Sequence, residues 1–215
     1  MGAVVRGVRR ALPHAPIVVI DDASRDDTAA CAQDAGAQVI RLARHHGYSR
    51  ALIAGYRAAL ALGPTTIAQL DADGQHDPVD LPRLVAAGAN LDLVIGSRFL
   101  SAGSYRVPPA RRAAIHACRW MGALAGGPDL TDPTSGYRVI RAEIAAEIAA
   151  GGFPRGLTET SLLVELARRG VRVGEVPVRM RASRGRSMHD GLAGGVRFIR
   201  ISLAMAELAT RSASR

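Results

Sequence analysis

Short apolar runs alternate with amphipathic segments along the first half of the chain. The apolar runs are four to six residues long and end at polar or glycine-containing turns, which predicts buried strands over Ile17–Ile20, Gln38–Leu42, Thr65–Leu70 and Leu91–Ile95. The remaining segments have helical spacing, which predicts helices over Met1–Leu12, Asp26–Ala35, Ser49–Leu62 and Pro78–Gly88. Strands that alternate with helices predict an α/β fold with a mainly parallel sheet.

The second half of the chain has a less regular pattern. Helical spacing predicts helices over Ala110–Leu124, Glu143–Ala150, Ser161–Arg169 and Val196–Thr210. One more strand is predicted over Val171–Val178, followed by a polar, Arg-rich loop over residues 179–190. These boundaries divide the chain into one α/β domain, residues 1–190, and a C-terminal amphipathic helix with its tail, residues 191–215.

The composition is that of a globular protein, with 48% hydrophobic and 22% charged residues. No stretch of the sequence is long and apolar enough to predict a membrane-spanning helix. No secretory signal is visible, and Cys31 and Cys118 fit no zinc or redox spacing, so we expect free thiols in a reducing cytoplasm. His76, His116 and His189 also lack ligand spacing, and we assign them no metal.

The net charge of +9 is carried by the second half of the chain. Residues 1–97 contain nine Arg and ten acidic residues, whereas residues 98–215 contain 19 Arg and nine acidic residues. The first half therefore suits a bound cation, and the second half suits an anionic partner such as a phosphate, a lipid surface or a nucleic acid. No aromatic stacking platform accompanies the positive charge, so we do not expect nucleic-acid binding.

Acidic residues cluster where two of the predicted strands end. Asp21 and Asp22 follow the first strand, and Asp71 and Asp73 follow the third. Ligands of parallel α/β sheets bind at the carboxyl ends of strands. Two carboxylates one residue apart can share a hard cation, Mg²⁺ or Mn²⁺, that bridges the phosphates of a nucleotide. The alternative is that each aspartate only caps the helix or turn that follows it.

The residues around these aspartates are more specific than the aspartates alone. Asp71–Pro78 reads D-A-D-G-Q-H-D-P, Asp21–Thr28 reads D-D-A-S-R-D-D-T, and Asp132–Arg138 reads D-P-T-S-G-Y-R. With G-S-R at Gly96–Arg98 and E-V-P-V at Glu175–Val178, the chain resembles family 2 of the inverting nucleotide-sugar glycosyltransferases. Within that family it resembles most the dolichyl- and polyprenyl-phosphate sugar transferases, from about residue 4 to about residue 190.

The resemblance implies a GT-A fold, a Rossmann-like three-layer sandwich, with residues 1–190 as its catalytic domain. It implies contacts with a nucleotide sugar by Asp21, Asp22, Ser24, Asp27, Gly47, Asp71 and Ala72. It implies a divalent ion, Mg²⁺ or Mn²⁺, held by Asp71, Asp73 and Gln75. On the acceptor side it implies phosphate contacts by Arg98, Arg112, Ser135, Arg138, Arg184 and Ser187.

The implied reaction is transfer of a sugar, with inversion, from a nucleotide sugar to a polyprenyl or dolichyl phosphate or a similar acceptor. Asp73 counts as catalytic because the ion it holds would neutralise the leaving nucleoside diphosphate. A phosphate acceptor is already anionic and needs positioning more than a base, whereas a hydroxyl acceptor would need Glu159 or Asp132 as its base. Asp132 also suits a turn before Pro133, and Glu159 also suits a helix N-terminus, so both alternatives stay open.

The chain departs from the family pattern at three places. Ala23 stands where the family usually has Gly, and His45 stands where it usually has Asn. Relatives open with a strand and a P-x-x-N-E-type loop, whereas the first predicted helix of this sequence starts at Met1, so we expect either a start further upstream or a truncated chain. We therefore expect weak activity or a partly open nucleotide pocket, and the alternative function is that of a non-catalytic relative that binds only a nucleotide or a partner.

Two basic or amphipathic segments near the C-terminus have two interpretations each. The loop with Arg179, Arg181, Arg184 and Arg186 either is a solvated surface segment or clamps a phosphate beside anionic lipid heads. The segment 191–210 either makes a peripheral membrane contact or forms a core or homodimer helix. We expect a cytoplasmic protein, either free or held at the cytoplasmic membrane face.

Overall fold

In a computed structural model of the chain, the described residues are 1–100, 107–151 and 159–181. Their helices are α1 Gly2–Ala11, α2 Thr28–Asp34, α3 Tyr48–Leu60, α4 Leu81–Ala87, α5 Pro109–Leu124, α6 Ala142–Ala149 and α7 Glu159–Arg168. Their strands are β1 Val18–Asp21, β2 Gln38–Arg41, β3 Thr66–Gln69, β4 Leu93–Ser97, β5 Arg138–Arg141 and β6 Val173–Pro177. A short 3₁₀ helix, Pro78–Asp80, leads into α4.

The strands form one two-stranded and one four-stranded sheet. Strand β1 pairs in parallel with β2, and the larger sheet has the order β3-β5-β4-β6. Strand β5 is antiparallel to both β3 and β4, whereas β4 and β6 are parallel. Three of the four strands of the larger sheet therefore run in one direction, and the predicted α/β class with a mainly parallel sheet is confirmed.

Apolar residues of the sheet alternate between two helical layers. On β4, Leu93 and Ile95 pack into a core with α3, α6 and α7, while Val94 between them packs into a core with α1 and α4. A smaller cluster places Val5 of α1 against Ala32 of α2 beside the two-stranded sheet. Because successive strand residues point to opposite faces, this burial of both faces produces the expected three-layer sandwich.

The sheet layer is divided between β1 and β3. In the described part of the chain, β1 pairs only with β2 and β3 pairs only with β5. Helix α3 covers both strands: a Cβ placed on Gly55 would lie 3.4 Å from Ile20 Cγ1 of β1, and the Tyr56 hydroxyl donates to Gln69 Oε1 of β3 at 2.7 Å. The expected absence of an opening strand stays a prediction.

One strand is missing from the sequence-based prediction, and two predicted segments lie outside the described residues. Strand β5 was not predicted because R-V-I-R contains only two apolar residues, and it is buried through pairing on both sides with β3 and β4. The loop beyond residue 181 and the helix 196–210, with its membrane or dimer contact, cannot be placed because the described residues end at 181. Among the helices that are described, none is long and apolar enough to span a bilayer.

Asp92 joins the starts of β4 and β6 to the end of β5. Its carboxylate accepts hydrogen bonds from Arg172 N at 3.0 Å, Nε at 3.0 Å and Nη2 at 2.8 Å, and it forms an ion pair with Arg141 Nε at 2.8 Å. The hydrogen bond from the Arg172 guanidinium is the largest of the effects that lower the pKa of Asp92 to about 2.

We expect this cluster to make stability depend on acid. A carboxylate with a lowered folded-state pKa stabilises the fold above its unfolded pKa near 4, and that contribution is lost as the pH falls toward about 2. Because the Arg172 side chain is 56% exposed, we expect a contribution of about 1 kcal/mol rather than the full value of the shift. Urea unfolding of wild type and Asp92→Asn should converge in stability as the pH falls from about 5 toward about 2. Parallel curves for the two proteins over that range would refute this assignment.

Candidate active site

The turn after β3 presents two carboxylates to solvent. The Asp71 side chain is 40% exposed, and Ala72 and Asp73 are exposed. Asp73 Oδ1 accepts the Gln75 N–H at 2.9 Å, which closes the turn around Gly74, whose φ of 81° lies in the left-handed region that glycine favours. The turn therefore holds the predicted D-x-D carboxylates in a fixed and accessible arrangement.

His76 fixes the main chain of Asp71. The Asp71 N–H donates to His76 Nδ1 at 2.9 Å, so a neutral imidazole carries its proton on Nε2, which lies 4.0 Å from Asp71 Oδ2. Burial lowers the pKa of His76 to about 3, so the ring is neutral at physiological pH. The imidazole stacks on the Tyr137 ring, with a centroid distance of 4.9 Å and an interplanar angle of 19°.

Tyr137 and Gly136 connect this turn to the loop before β5. The Tyr137 hydroxyl donates to the Asp77 carbonyl at 2.9 Å. A Cβ placed on Gly136 would lie 3.0 Å from Asp71 Oδ2, 3.2 Å from Asp71 Oδ1 and 3.2 Å from the Tyr48 hydroxyl. The absence of a side chain at residue 136 is what allows the Asp71 carboxylate to pack against this loop.

The chain after β6 holds the other side of the turn. Arg181 N donates to the Gln75 carbonyl at 2.9 Å, its guanidinium pairs with Asp77 Oδ2 at 2.7 Å, and Arg179 N donates to Asp80 Oδ2 at 2.7 Å. The side chain of Gln75 is buried, and its Nε2 donates to the Arg181 carbonyl at 3.5 Å. Gln75 therefore faces residues 179–181 after β6, and its predicted role as a metal ligand stays a prediction.

The residues of the turn fit a hard cation that binds together with a nucleotide. Within the described residues no three His, Cys, Asp or Glu side chains converge as a metal site. Mg²⁺ is usually held by only one or two carboxylates, with substrate phosphates and water as the other ligands. Asp71 and Asp73 supply two such carboxylates and are open to solvent, where phosphates could reach them.

The predicted acceptor side is a buried ionic network. Arg98 is 6% exposed and its Nε donates to Asp132 Oδ2 at 2.5 Å, while Asp132 is fully buried. Glu175 of β6 accepts the N–H groups of Thr131 at 2.6 Å and Asp132 at 2.7 Å, and the Thr131 hydroxyl at 2.8 Å. Burial is the largest cause of the raised pKa of Glu175. The structure brings Arg98 and Asp132 together and binds them to each other, and their predicted roles at the acceptor stay predictions.

Two of the predicted phosphate-binding residues support the loop instead. Arg138 is buried, and its Nε donates to the Ser135 carbonyl at 2.8 Å and its Nη2 to the Pro133 carbonyl at 3.4 Å. Ser135 is fully buried, and its hydroxyl accepts the Tyr137 N–H at 3.3 Å. Both side chains are buried and shape the loop in this structure, and their expected phosphate contact stays a prediction.

The other predicted acceptor-side and base residues are less completely described. Arg112 is exposed on the first turn of α5, and Glu159 begins α7. The side chain of Glu159, and the whole of Arg184, Arg186 and Ser187, lie outside the described residues. Their predicted roles stay predictions.

The predicted nucleotide side is organised by two aspartates. Asp21 is buried, accepts the Ser24 N–H at 2.9 Å and pairs with Arg41 Nε at 3.3 Å. Asp22 accepts the N–H groups of His46 at 2.7 Å and Gly47 at 2.8 Å. The His46 N–H is the largest cause of the lowered pKa of Asp22. Both carboxylates shape the loops from which a nucleoside would be contacted, while Asp27 is exposed at the start of α2.

The two departures from the family pattern on this side have structural explanations. Ala23 has a φ of 62°, the left-handed conformation that glycine adopts without steric penalty. His45 Nδ1 lies 2.8 Å from Asp22 Oδ2, so the histidine contacts one of the two aspartates at the end of β1. From this loop the chain enters α3, where the Tyr48 hydroxyl accepts from Gln69 Nε2 at 3.0 Å, linking the nucleotide side to the Asp71 side.

Sequence reasoning assigned no role to His76 or Glu175. Both stand inside quoted motifs, D-A-D-G-Q-H-D-P and E-V-P-V, and that position was the only available signal. Their partners, Tyr137 and Thr131, are distant in sequence, so no spacing rule could have paired them.

A three-layer α/β sandwich with an Asp-x-Asp turn directly after strand β3 has the architecture of GT-A nucleotide-sugar transferases. Residues 2–148 match the family model for glycosyl transferase family 2, and the chain belongs to that family. The predicted family and enzyme class, a glycosyltransferase, are therefore confirmed.

Two relatives and one solved structure show the extent of the similarity. The chain is 36% identical over 187 residues to undecaprenyl-phosphate mannosyltransferase of Micrococcus luteus, covering 80% of this chain and 74% of that protein. It is 33% identical over 153 residues to polyprenol monophosphomannose synthase of Mycolicibacterium smegmatis, covering 67% of this chain and 58% of that protein. The fold is similar to that of glucosyl-3-phosphoglycerate synthase from Mycobacterium tuberculosis in complex with Mn²⁺, UDP and phosphoglyceric acid. That match has a TM-score of 0.68 and 19% identity, and it covers 97% of this chain and 74% of the other.

We expect Gly136→Ala to weaken Mn²⁺-dependent binding of a nucleoside diphosphate about tenfold, because the new Cβ displaces the Asp71 carboxylate. Calorimetric titration with UDP and with GDP in the presence of Mn²⁺ measures this. The matched control is Gly122→Ala, whose Cβ would have its nearest contact at 3.9 Å, and which should bind like wild type. Equal affinities for the two variants would rule out a steric role for residue 136.

We expect His76→Leu to weaken the same binding by roughly tenfold, because the buried Asp71 N–H loses its acceptor. His76→Asn should restore part of the affinity, since its Oδ1 can take the place of Nδ1 as acceptor. Thermal unfolding of both variants separates a local effect from loss of the fold. If the leucine and asparagine variants bind equally, the hydrogen bond to Asp71 does not position the carboxylate.

Proposed function

We propose that this glycosyltransferase moves a sugar, with inversion, from a nucleotide sugar to a polyprenyl or dolichyl phosphate. The observation that carries the proposal is the accessible Asp71–Asp73 turn, held by His76, in a chain that is 36% identical to undecaprenyl-phosphate mannosyltransferase. The names of both relatives refer to mannose as the sugar, so a nucleoside diphosphate mannose is the first donor to test.

On the donor side, Asp71 and Asp73 are proposed to hold Mg²⁺ or Mn²⁺. The ion supplies charge neutralisation for the departing nucleoside diphosphate. Asp22 and the loop ending at Gly47 are proposed to face the nucleoside, with Asp21 and Ser24 as support. The Mn²⁺ and UDP in the similar synthase structure support this assignment at the level of the fold.

On the acceptor side, a phosphate oxygen attacks the anomeric carbon as the bond from that carbon to the diphosphate oxygen breaks. Attack from the opposite face inverts the configuration, and an ionised phosphate gives up no proton, so this step needs orientation more than a base. Arg98 can contribute through its guanidinium, whose planar fork suits a phosphate. In this arrangement Asp132 and Glu175 are positioning residues, because they hold Arg98 and its loop.

Four further residues and the division into domains belong to the same proposed function. Arg112, Arg184 and Ser187 are proposed to contact the acceptor phosphate, and Glu159 would serve as a base only for a hydroxyl acceptor. Residues 1–190 are proposed as the catalytic domain, and residues 191–215 as a helix with its tail that lies on a membrane or a second copy.

We expect Asp73→Ala to lower sugar transfer about a hundredfold or more, because charge neutralisation of the leaving group is lost. Transfer is measured with radiolabelled nucleotide sugar, detergent-solubilised polyprenyl phosphate and Mn²⁺, with chelator as a second test. The control, Asp34→Ala, removes an exposed carboxylate at the end of α2 and should transfer like wild type. Metal-dependent nucleotide binding by wild type without any turnover would instead identify a non-catalytic relative.

A further inference from the structure

Tyr48, Gln69 and Tyr56 form a hydrogen-bonded network between α3 and β3 to which the proposed function assigns no role. The Tyr56 hydroxyl donates to Gln69 Oε1 at 2.7 Å, and Gln69 Nε2 donates to the Tyr48 hydroxyl at 3.0 Å. Tyr48 is the first residue of α3, Tyr56 lies about two turns further along the helix, and Gln69 is the last residue of β3. Only Leu70 separates this α3–β3 network from Asp71.

The burial of Tyr56 fixes the direction of these hydrogen bonds. Tyr56 is 4% exposed, and burial raises the pKa of its hydroxyl to about 12, so the proton stays on the oxygen. Among the described residues, Gln69 is the only hydrogen-bond partner of this hydroxyl. If the Gln69 amide were turned over, the Tyr56 proton would face an N–H group and lose its acceptor, which is costly for a buried donor. Oε1 must therefore face Tyr56, and Nε2 must face Tyr48.

The same direction turns the Tyr48 proton toward Asp71. Because the Tyr48 oxygen accepts from Gln69, its own proton must point away from Gln69. The position that a Cβ would take on Gly136 lies 3.0 Å from Asp71 Oδ2 and 3.2 Å from the Tyr48 hydroxyl, so the carboxylate and the hydroxyl flank the same point. An ionised carboxylate only accepts hydrogen bonds, and a bond to a charged acceptor is stronger than one between neutral groups.

We propose that the Tyr48 hydroxyl donates a hydrogen bond to the Asp71 carboxylate, and that Tyr56 and Gln69 set the direction of this bond. This role depends on the proposed function only in that Asp71 is the carboxylate proposed to hold the ion. The three residues of the α3–β3 network are then positioning residues. They hold one carboxylate oxygen in place before the ion arrives, which reduces the ordering that binding requires.

Metal-free protein tests the hydrogen bond without any ligand. In the full chain, the carboxylate resonance of Asp71, followed by NMR, should titrate at a pH higher by roughly half a unit in Tyr48→Phe than in wild type, because the ionised form loses a donor. Tyr56→Phe should raise the same midpoint by less, because the Gln69 amide can then turn over and accept the Tyr48 proton. Thr65→Val, which removes an exposed hydroxyl between α3 and β3, should titrate like wild type. A Tyr48→Phe midpoint equal to that of wild type would overturn the proposal.

A double substitution separates a connected network from independent contributions. We expect Tyr48→Phe to weaken Mn²⁺-dependent binding of UDP or GDP about fivefold in calorimetric titration. Tyr48→Phe combined with Tyr56→Phe should bind like Tyr48→Phe alone, because Tyr56 acts only through the Tyr48 proton. Losses that add in the double variant would contradict the role given to Tyr56 and Gln69. Thermal unfolding checks each fold, and the half-buried Tyr48 keeps the titration test available if Tyr56→Phe is unstable.

The two measurements distinguish failure of this hydrogen bond from failure of the proposed function. A wild-type protein that binds no nucleoside diphosphate with Mn²⁺, but whose Asp71 midpoint still rises in Tyr48→Phe, would contradict the proposed ion site and support the hydrogen bond. Weaker binding by Tyr48→Phe with an unchanged Asp71 midpoint would refute the hydrogen bond, because Tyr48 would then contact the nucleotide or the ion instead of Asp71.

Discussion

The stack of the His76 imidazole on the Tyr137 ring is the interaction on which the candidate site depends. It joins the turn that follows β3, where His76 binds the Asp71 main-chain N–H, to the loop that precedes β5, where Gly136 packs against the Asp71 carboxylate. An unpaired carboxylate at a strand end would be free to change rotamer. Here its main chain is bound to a buried ring and its side chain lies on Gly136, so the orientation is set before any ion or nucleotide arrives.

The buried ionic network of Arg98, Asp132 and Glu175 limits the chemistry that the proposed acceptor side can perform. Arg98 follows β4, Asp132 lies in the loop before β5 and Glu175 belongs to β6, so three parts of the larger sheet meet at one buried cluster. Removing one partner of a buried ion pair typically costs about 3–5 kcal/mol, because the other charge is left uncompensated. A substitution at Asp132 would therefore disturb the loop and Arg98 together, and loss of activity alone would not identify it as a base.

The features of this molecule that can be predicted from its sequence are those determined by consecutive residues. The runs at Ile17–Ile20 and Leu91–Ile95 carry enough β-branched or aliphatic residues to identify strands, and Asp71–Pro78 is a contiguous motif. Strand β5 has too few apolar residues for recognition, and it is a strand because β3 and β4 pair with it on both sides. Tertiary pairing of this kind overrides local propensity.

The dependence on tertiary contacts also explains why individual site residues have contacts that the sequence does not predict. The family resemblance implies a phosphate contact for Arg138, whereas in the structure its donors are bound to main-chain carbonyls inside the loop. The spacing of His76 fits no metal site and so indicates no role, whereas in the structure its ring accepts one main-chain N–H. Neither burial nor a main-chain partner can be read from residue type and spacing.

The conformation of Ala23 has a consequence for the rigidity of the nucleotide side. A left-handed alanine costs roughly 1–2 kcal/mol relative to its preferred conformations, and the loop keeps it through the contacts of Asp21 and Asp22, which directly precede it. Glycine would remove the penalty but would also give the unfolded chain more freedom, so the two effects on stability oppose each other. Alanine therefore mainly limits the motion of the loop, because it allows fewer backbone conformations directly after the two aspartates that would face a nucleoside.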